Sequence, residues 1–351
     1  MLVIITGVAG FIGSNLAEHL LKAGHEVVGI DNLSRKGSDA NLDRLEVLGR
    51  KCGTDAFRCY YFDVGQTFTS SVRTFTSSVS PYEHADAVFH LAGQVAVTRS
   101  IIDPREDFES NALGTFNVLE AVRQNNMKAV VVYASTNKVY GEMRSSNIVG
   151  VGYGVHEGYP LDFHSPYGCS KGAGDQYMVD YARTYGLRTV TFRQSCIYGP
   201  HQFGIEDQGW VAWFTIAAML GKPITIYGDG HQVRDVLWVE DLIEAYMRIA
   251  LPMAPEPPPM VPPGSVYNIG GGSKNTLSLL SLIAMLEKRL GKNIPVKFEP
   301  PRQGDQKVYV SDIRKAEREL GWRPKVGVEE GIERMVQWVE ENLDLVKEVV
   351  G

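Results

Sequence analysis

Thr6-Gly7-Val8-Ala9-Gly10-Phe11-Ile12-Gly13 is the stretch on which the architecture turns. It joins an apolar run, Leu2–Ile5, to a segment of helical spacing in which Ile12, Leu16, Leu20 and Leu21 recur before Gly24, a residue suited to the position just past a helix end. Glycines at such a turn let the backbone approach a pyrophosphate, and the helix N-terminus offers unpaired N–H groups with positive partial charge. Alone, the turn could merely connect two elements. Asp31 supplies the context, because it closes the next apolar run, Val27–Ile30, 18 residues after Gly13. A carboxylate there accepts hydrogen bonds from the ribose hydroxyls of an adenine dinucleotide and repels a 2′-phosphate, which favours NAD over NADP. Arg35 and Lys36 point weakly the other way, although exposed basic loop residues need no phosphate to explain them.

Working outward, Ala87–Leu91, Val130–Tyr133 and Thr189–Phe192 are further continuous apolar or β-branched stretches separated by helix-periodic segments. Short buried strands alternating with helices predict an α/β fold built on a doubly wound parallel sheet of Rossmann type. After about residue 195 the rhythm loosens, so a smaller C-terminal α/β lobe is expected. The expected division is 1–195 plus about 236–267 for dinucleotide binding, and about 196–235 with 268–351 for substrate. Pro252 to Gly264 reads as an exposed connection before a strand at Val266–Ile269. Val328–Val350 reads as a packed amphipathic helix with Ile332, Met335, Val336 and Val339 on one face.

The chain has 351 residues, 44% of them hydrophobic and 22% charged, with a formal net charge of −6. This composition excludes disorder and implies no large basic surface for nucleic acid. Cys52, Cys59, Cys169 and Cys196 form no CxxC pair and read as free thiols of a cytoplasmic protein. The apolar start lacks a basic region and runs at once into glycines, as a buried strand does and a signal peptide does not. No apolar run reaches the roughly 18–20 residues that cross a bilayer, so no membrane association is expected. The eight histidines show no zinc-ligand spacing, and no metal is expected.

A second constellation is Tyr167-Gly168-Cys169-Ser170-Lys171, whose Tyr and Lys lie four apart on one helix face. A phenol is a poor base at neutral pH, but a neighbouring ammonium and a cationic nicotinamide favour its ionised form. Such a pair can equally be surface decoration on a helix. Upstream, Ala134-Ser135-Thr136 places hydroxyls at the carboxyl end of a strand, where doubly wound sheets hold ligands.

In this order the motifs resemble the extended short-chain dehydrogenase/reductases that act on nucleotide-sugars. The likeness runs through TGVAGFIG (6–13), Asp31-Asn32, Asp63-Val64, HLAG (90–93), STNKVYG (135–141), SPYGCSK (165–171) and Arg234-Asp235. It continues through Asn268–Gly271, Arg302-Gln303-Gly304-Asp305 and Leu320-Gly321-Trp322. The resemblance implies a catalytic triad of Thr136, Tyr167 and Lys171. It implies NAD contacts from Gly7, Gly10, Phe11, Ile12, Gly13, Asp31, Asn32, Ser34, Arg35, Asp63, Val64, Leu91, Ala92 and Gln94, together with Tyr167 and Lys171. It implies nucleotide-sugar contacts from Thr136, Asn137, Gln194, Ser195, Arg234, Arg302 and Asp305, the two arginines facing phosphates.

Sugar 4,6-dehydratases of this superfamily carry an Asp-Glu pair where this chain has Asn137-Lys138, and the related decarboxylases a Glu. Without those acids, only reversible oxidation and reduction is implied, which here means epimerisation. Longer strings, DNLSRKG (31–37), HLAGQVA (90–96), LDFHSPYGCSKG (161–172) and DQGWV (207–211), resemble the CDP-tyvelose (CDP-paratose) 2-epimerase group. CDP-linked sugars are therefore expected over GDP- or UDP-linked ones, with a UDP-sugar 4-epimerase as the alternative and a non-catalytic dinucleotide-binding protein as a third. Cys196 stands where relatives often carry a substrate-binding Asn, and reads as a packing residue near a strand end. Helices near Asp107–Arg123 and Tyr167–Thr184 form dimer bundles in relatives. A homodimer or homotetramer is expected, although Ala173, Tyr177 and Tyr181 could equally pack within one chain.

Overall fold

The computed structural model describes residues 1–66, 80–142, 154–250, 261–302 and 305–351. The chain divides into two compact units, the first comprising 1–136, 165–193 and 243–267, the second 137–164, 194–242 and 268–351. These boundaries differ from the sequence division chiefly at 137–164 and 236–242, which fall in the second unit. The expected exposed connection lies outside the described residues over 252–260.

The first unit is built on β1 (Leu2–Thr6), β2 (Glu26–Asp31), β3 (Phe57–Tyr61), β4 (Ala87–His90), β5 (Val130–Thr136) and β6 (Arg188–Gln194), with Ser265–Ile269 as a seventh strand. Their order across the sheet begins at β3 and runs through β2, β1, β4, β5 and β6 to Ser265–Ile269, and the pairings from β3 to β5 are parallel. The strand order reverses between β1 and β4, which opens the crevice where doubly wound sheets bind ligands. β1, β2, β4, β5 and β6 contain the apolar runs legible in the sequence, and Ile4, Val88, Val131 and Tyr133 pack with Val118, Leu119 and Met178 of the covering helices in one core. β3 was not among the strands expected. Among the described residues it pairs only with β2, and it exposes Arg58 and Tyr61, so it lacks the apolar signature of a central strand.

In the second unit, Val233–Trp238 is the organising strand, pairing with Cys196–Tyr198, Thr276–Ser278 and Val308–Tyr309. Its core gathers Trp238, Phe214, Leu282, Met335 and Trp338. Val328–Val350 forms two helices, Val328–Glu341 and Leu343–Val350. Asn342 interrupts them at φ −120°, its side-chain amide donating to the Trp338 carbonyl at 2.8 Å. Ile332, Met335, Val336 and Val339 are buried as their spacing requires.

Candidate active site

The glycine turn sits at the switch point. Gly7 adopts φ +74°, and a Cβ there would lie 2.7 Å from the Ala92 backbone nitrogen in the loop after β4. Gly13 has no room either, since a Cβ would come within 2.8 Å of Val8 Cα. Gly10 differs: its only near neighbour is the Gly7 carbonyl oxygen, 3.2 Å from the Cβ position, so its open side is the one a phosphate can approach. It precedes the helix Phe11–Lys22, which no side chain caps, leaving the first-turn N–H groups of Phe11, Ile12 and Gly13 directed outward. These features fit a pyrophosphate.

Asp31 ends β2, buried to 8% exposure, and accepts the Ala9 N–H at 2.9 Å through one oxygen and the Leu33 N–H at 2.9 Å through the other. Burial raises its pKa and those backbone donors oppose the rise. Its remaining lone pairs suit ribose hydroxyls. Asn32 donates to Asp63 at 2.9 Å and accepts the Ser34 N–H at 3.1 Å, while Asp63 also takes the Gly65 N–H at 2.8 Å. The expected set around Asp31 is thus one linked rim. Val64 is buried in the unit's core, with Ala92 packed against it, and the Leu91 N–H donates to the Thr6 carbonyl at 3.1 Å.

Gln94, expected to line the cofactor, turns its amide inward. Nε2 donates to the Ala96 carbonyl and to Asp107 Oδ1, both at 2.9 Å, and Oε1 accepts the Ala96 N–H. His90 ties β1 to the helix Gly114–Asn125: Thr6 and Thr115 hydroxyls meet its two ring nitrogens at 2.7 and 3.0 Å. Thr115 already donates to the Asn111 carbonyl at 2.6 Å, so His90 Nε2 carries the proton towards Thr115 and Nδ1 accepts from Thr6. Burial lowers the His90 pKa to about 3, with Lys171 acting the same way, which fits a neutral ring.

Thr136 ends β5 and Tyr167 lies in the first turn of the helix Ser165–Tyr185. The turn begins at Ser165, held at φ +65°, whose Oγ accepts the Gly168 N–H at 3.3 Å. Thr136 and Tyr167 are hydrogen-bonded through their side chains, and Lys171 places its ammonium 4.3 Å from the centre of the Tyr133 ring. Lys171 is 4% exposed. Burial pushes the Tyr167 phenol up to about 12 and Asp107 adds to the rise, whereas the Thr136 hydrogen bond and the positive charge of Arg35 oppose it. Burial brings Lys171 down to about 7, with Asp107 and Asp175 holding it up. The sequence reading expected the ammonium to draw the phenol down. In the protein alone, desolvation governs both groups and disfavours both charges.

Beside this pair lies a buried ion pair that the sequence reading missed. Asp175 is bound by Arg193 Nε at 2.9 Å and Nη2 at 2.8 Å, and also accepts the Ser135 hydroxyl at 2.7 Å. Such fork-to-fork geometry satisfies both charges out of water.

The expected substrate residues fall in the second unit, apart from Thr136. Arg234 donates to Asp305 at 2.6 Å and to the Val233 carbonyl at 2.9 Å, and also reaches the Gln306 carbonyl. Arg302 pairs with Asp207 at 3.0 Å and stacks 3.8 Å from the Tyr227 ring centre. Both guanidiniums are therefore already engaged with carboxylates. Asn137 donates to Gln306 at 3.1 Å, Lys138 stands 3.7 Å from Asp305, and Gln194 is buried. Ser195 spends its hydroxyl on Asp235, at 2.8 Å to the carbonyl. Cys196 packs against the unit's core with its thiol pKa pushed up by burial, as a packing residue would. Gln303 and Gly304 lie outside the described residues. Among the described residues no cluster of His, Cys, Asp and Glu could hold a metal, and no helix is long and apolar enough to cross a membrane.

A family model described as GDP-mannose 4,6 dehydratase matches residues 4–335. The chain belongs to that family, within the extended short-chain dehydrogenase/reductases. It is 44% identical over 354 aligned residues to the CDP-paratose 2-epimerase of Salmonella typhi, covering 96% of this chain and 99% of that one. Among solved structures, UDP-glucose 4-epimerase from Thermotoga maritima with UDP-glucose superposes with a TM-score of 0.81 at 31% identity, covering 98% of this chain and 100% of that one. UDP-glucuronic acid 4-epimerase from Bacillus cereus, in complex with UDP-glucuronic acid and NAD, gives 0.81 at 30% identity over 97% and 99% of the two chains. The fold, enzyme class and family expected from the motifs are those found.

Proposed function

We propose that this family member is an NAD-dependent 2-epimerase of a CDP-linked sugar of the CDP-paratose/CDP-tyvelose kind. The observation that carries the reading is the Thr136–Tyr167 hydrogen bond beside buried Lys171, followed in sequence by Asn137 and Lys138 where a dehydratase needs an acid pair. This equips the chain to move one proton at one oxygen and gives it no carboxyl at those positions to eliminate water. The 44% identity to a CDP-paratose 2-epimerase supports carbon 2 and the CDP group over the 4-epimerase alternative.

NAD fits the open side of Gly10, the N-terminus of Phe11–Lys22 and the free lone pairs of Asp31. Bound there, it supplies reversible hydride acceptance and a positive ring charge. Asn32, Ser34, Arg35, Asp63, Val64, Leu91, Ala92 and the backbone of Gln94 complete the cofactor contacts. Tyr167 takes the proton of the carbon 2 hydroxyl as that carbon is oxidised, and returns it as the carbon is reduced on its other face. Thr136 donates to the same oxygen. Lys171, as ammonium, favours the phenolate. Arg234 and Arg302 exchange their present carboxylate partners for phosphate oxygens, with Asn137, Gln194, Ser195 and Asp305 contacting the nucleotide-sugar.

We further propose a homodimer or homotetramer acting in the cytoplasm. Ile101, Ile102, Phe108, Phe116 and Tyr177 of the first unit are large apolar side chains left exposed, while Tyr181 is buried within the chain. The four free cysteines suit a reducing compartment. Incubating purified protein with CDP-, GDP- and UDP-hexoses and identifying the inverted carbon by NMR tests the assignment. Inversion at carbon 2 of a CDP-sugar is expected, and inversion confined to carbon 4 of a UDP-sugar would replace it with the alternative.

A further inference from the structure

Next to Lys171 lies a carboxylate that the proposed chemistry leaves unused. Asp107, in the short helix Pro104–Phe108, is wholly buried. One of its oxygens accepts from Gln94 at 2.9 Å and Asn111 at 3.2 Å, and the other accepts the Ser170 hydroxyl at 2.5 Å. All three partners donate, as suits an ionised carboxylate; burial raises its pKa, and the Ser170 and Gln94 hydrogen bonds and the charge of Lys171 oppose that rise. Asn111 sits in the π-helical turn Glu109–Leu113 and donates as well to the Gln94 carbonyl at 3.0 Å and to Ser170 Oγ at 3.1 Å. One carboxylate thus ties the loop after β4, its own helix and the residue preceding Lys171.

Two carboxylates act on Lys171, and they are not equivalent. The charge of Asp175 is offset by bidentate Arg193, whereas among the described residues Asp107 has no basic side chain within ion-pair distance. The Tyr133 ring and neutral His90 also lie by the ammonium, and neither is a carboxylate. Glu106, beside Asp107 on its own helix, is taken up by Arg99 at 2.8 Å.

We propose that Asp107 is a positioning residue for the Tyr167–Lys171 pair: its uncancelled buried charge holds the lysine as ammonium, and its bond to Ser170 fixes the helix turns that carry both groups. The proposal rests on the reading of Tyr167 and Lys171 as the acid/base pair. The protonation trends agree with it, since Asp107 is the foremost influence opposing the desolvation of Lys171 and also raises Tyr167.

Asp107→Asn removes the charge and keeps the shape, and Asp107→Ser removes the charge with room for water. Withdrawing negative charge lowers the pKa of both partners, so both limbs of the kcat–pH profile move to lower pH by on the order of one unit. Tyrosinate difference spectra, taken against Tyr167→Phe in each background, move the same way and need no turnover. Ser170→Ala keeps the charge while loosening the helix, and lowers kcat with the limbs in place. Limbs and spectra that do not move in folded Asp107→Asn or Asp107→Ser overturn the proposal. If Tyr167→Phe itself retains full turnover, the underlying reading fails instead, so the two failures are distinguishable.

Discussion

Asp31 accepts the backbone N–H of Ala9 at 2.9 Å, so the carboxylate at the end of the second strand is also a strut of the glycine turn after the first. Replacing it therefore does two things at once. Asp31→Ala leaves the Ala9 and Leu33 N–H groups without their acceptor, at a cost of about 1–3 kcal/mol. NAD affinity falls with it. Chemical denaturation and cofactor titration of the same preparation measure the two effects.

Gly10 and Gly13 should separate cofactor binding from folding. At Gly10, φ −69° and ψ 172° suit any residue, and the Cβ position is 3.2 Å from a single carbonyl oxygen. Gly10→Ala is expected to fold within about 1 kcal/mol of wild type and to bind dinucleotide at least about tenfold more weakly. Gly13→Ala drives a methyl onto Val8 Cα and is expected to lose about 1–3 kcal/mol or more of stability. Equal melting temperatures for the two variants would contradict this.

Tyr167→Phe is expected to retain the fold and lose about 10²–10⁴ in kcat. Thr136→Val removes the hydrogen bond that holds the phenol pKa down, so the acid limb of the pH–rate profile moves to higher pH. The comparison requires only steady-state rates across pH.

Lys171 illustrates the cost of a catalytic charge. Its folded pKa of about 7 lies below the ordinary lysine value of 10.5. The unfolded chain therefore binds the extra proton between those values, and stability rises with pH across that window. Below pH 7 the penalty is fully present. Lys171→Met is expected to be more stable than wild type there, by on the order of 1–4 kcal/mol, with the pH dependence flattened between 7 and 10.5. Urea unfolding at several pH values reads this directly.

Arg193→Met leaves Asp175 buried without its cation, and is expected to destabilise by about 3–5 kcal/mol. Asp175→Asn in the same background should recover part of that loss. A double-mutant cycle provides the check.

The parallel core was legible because β1, β4 and β5 are buried on both faces and so carry unbroken apolar runs. The edge strand Phe57–Tyr61 was not, because Arg58 and Tyr61 face water and its other side chains are only partly buried. Among site residues, Gly7, Asp31, Thr136, Tyr167 and Lys171 announce themselves by spacing along one chain. Asp107 does not: in the string Pro104-Arg105-Glu106-Asp107 it reads as one more exposed helix acid, and only tertiary packing against Gln94 and Ser170 distinguishes it from Glu106. Likewise the chemistry of Arg234 and Arg302 was legible, but their pairing with Asp305 and Asp207 depends on contacts between distant segments.

The central claim is that hydride leaves and returns to a single carbon without exchanging with water. Purified enzyme, given no added NAD, should be incubated with a CDP-sugar deuterated at carbon 2 and the product examined by NMR. Inverted sugar with deuterium still on carbon 2 is the result expected. Inverted sugar carrying solvent hydrogen at that position would mean proton abstraction from carbon, and would contradict the account.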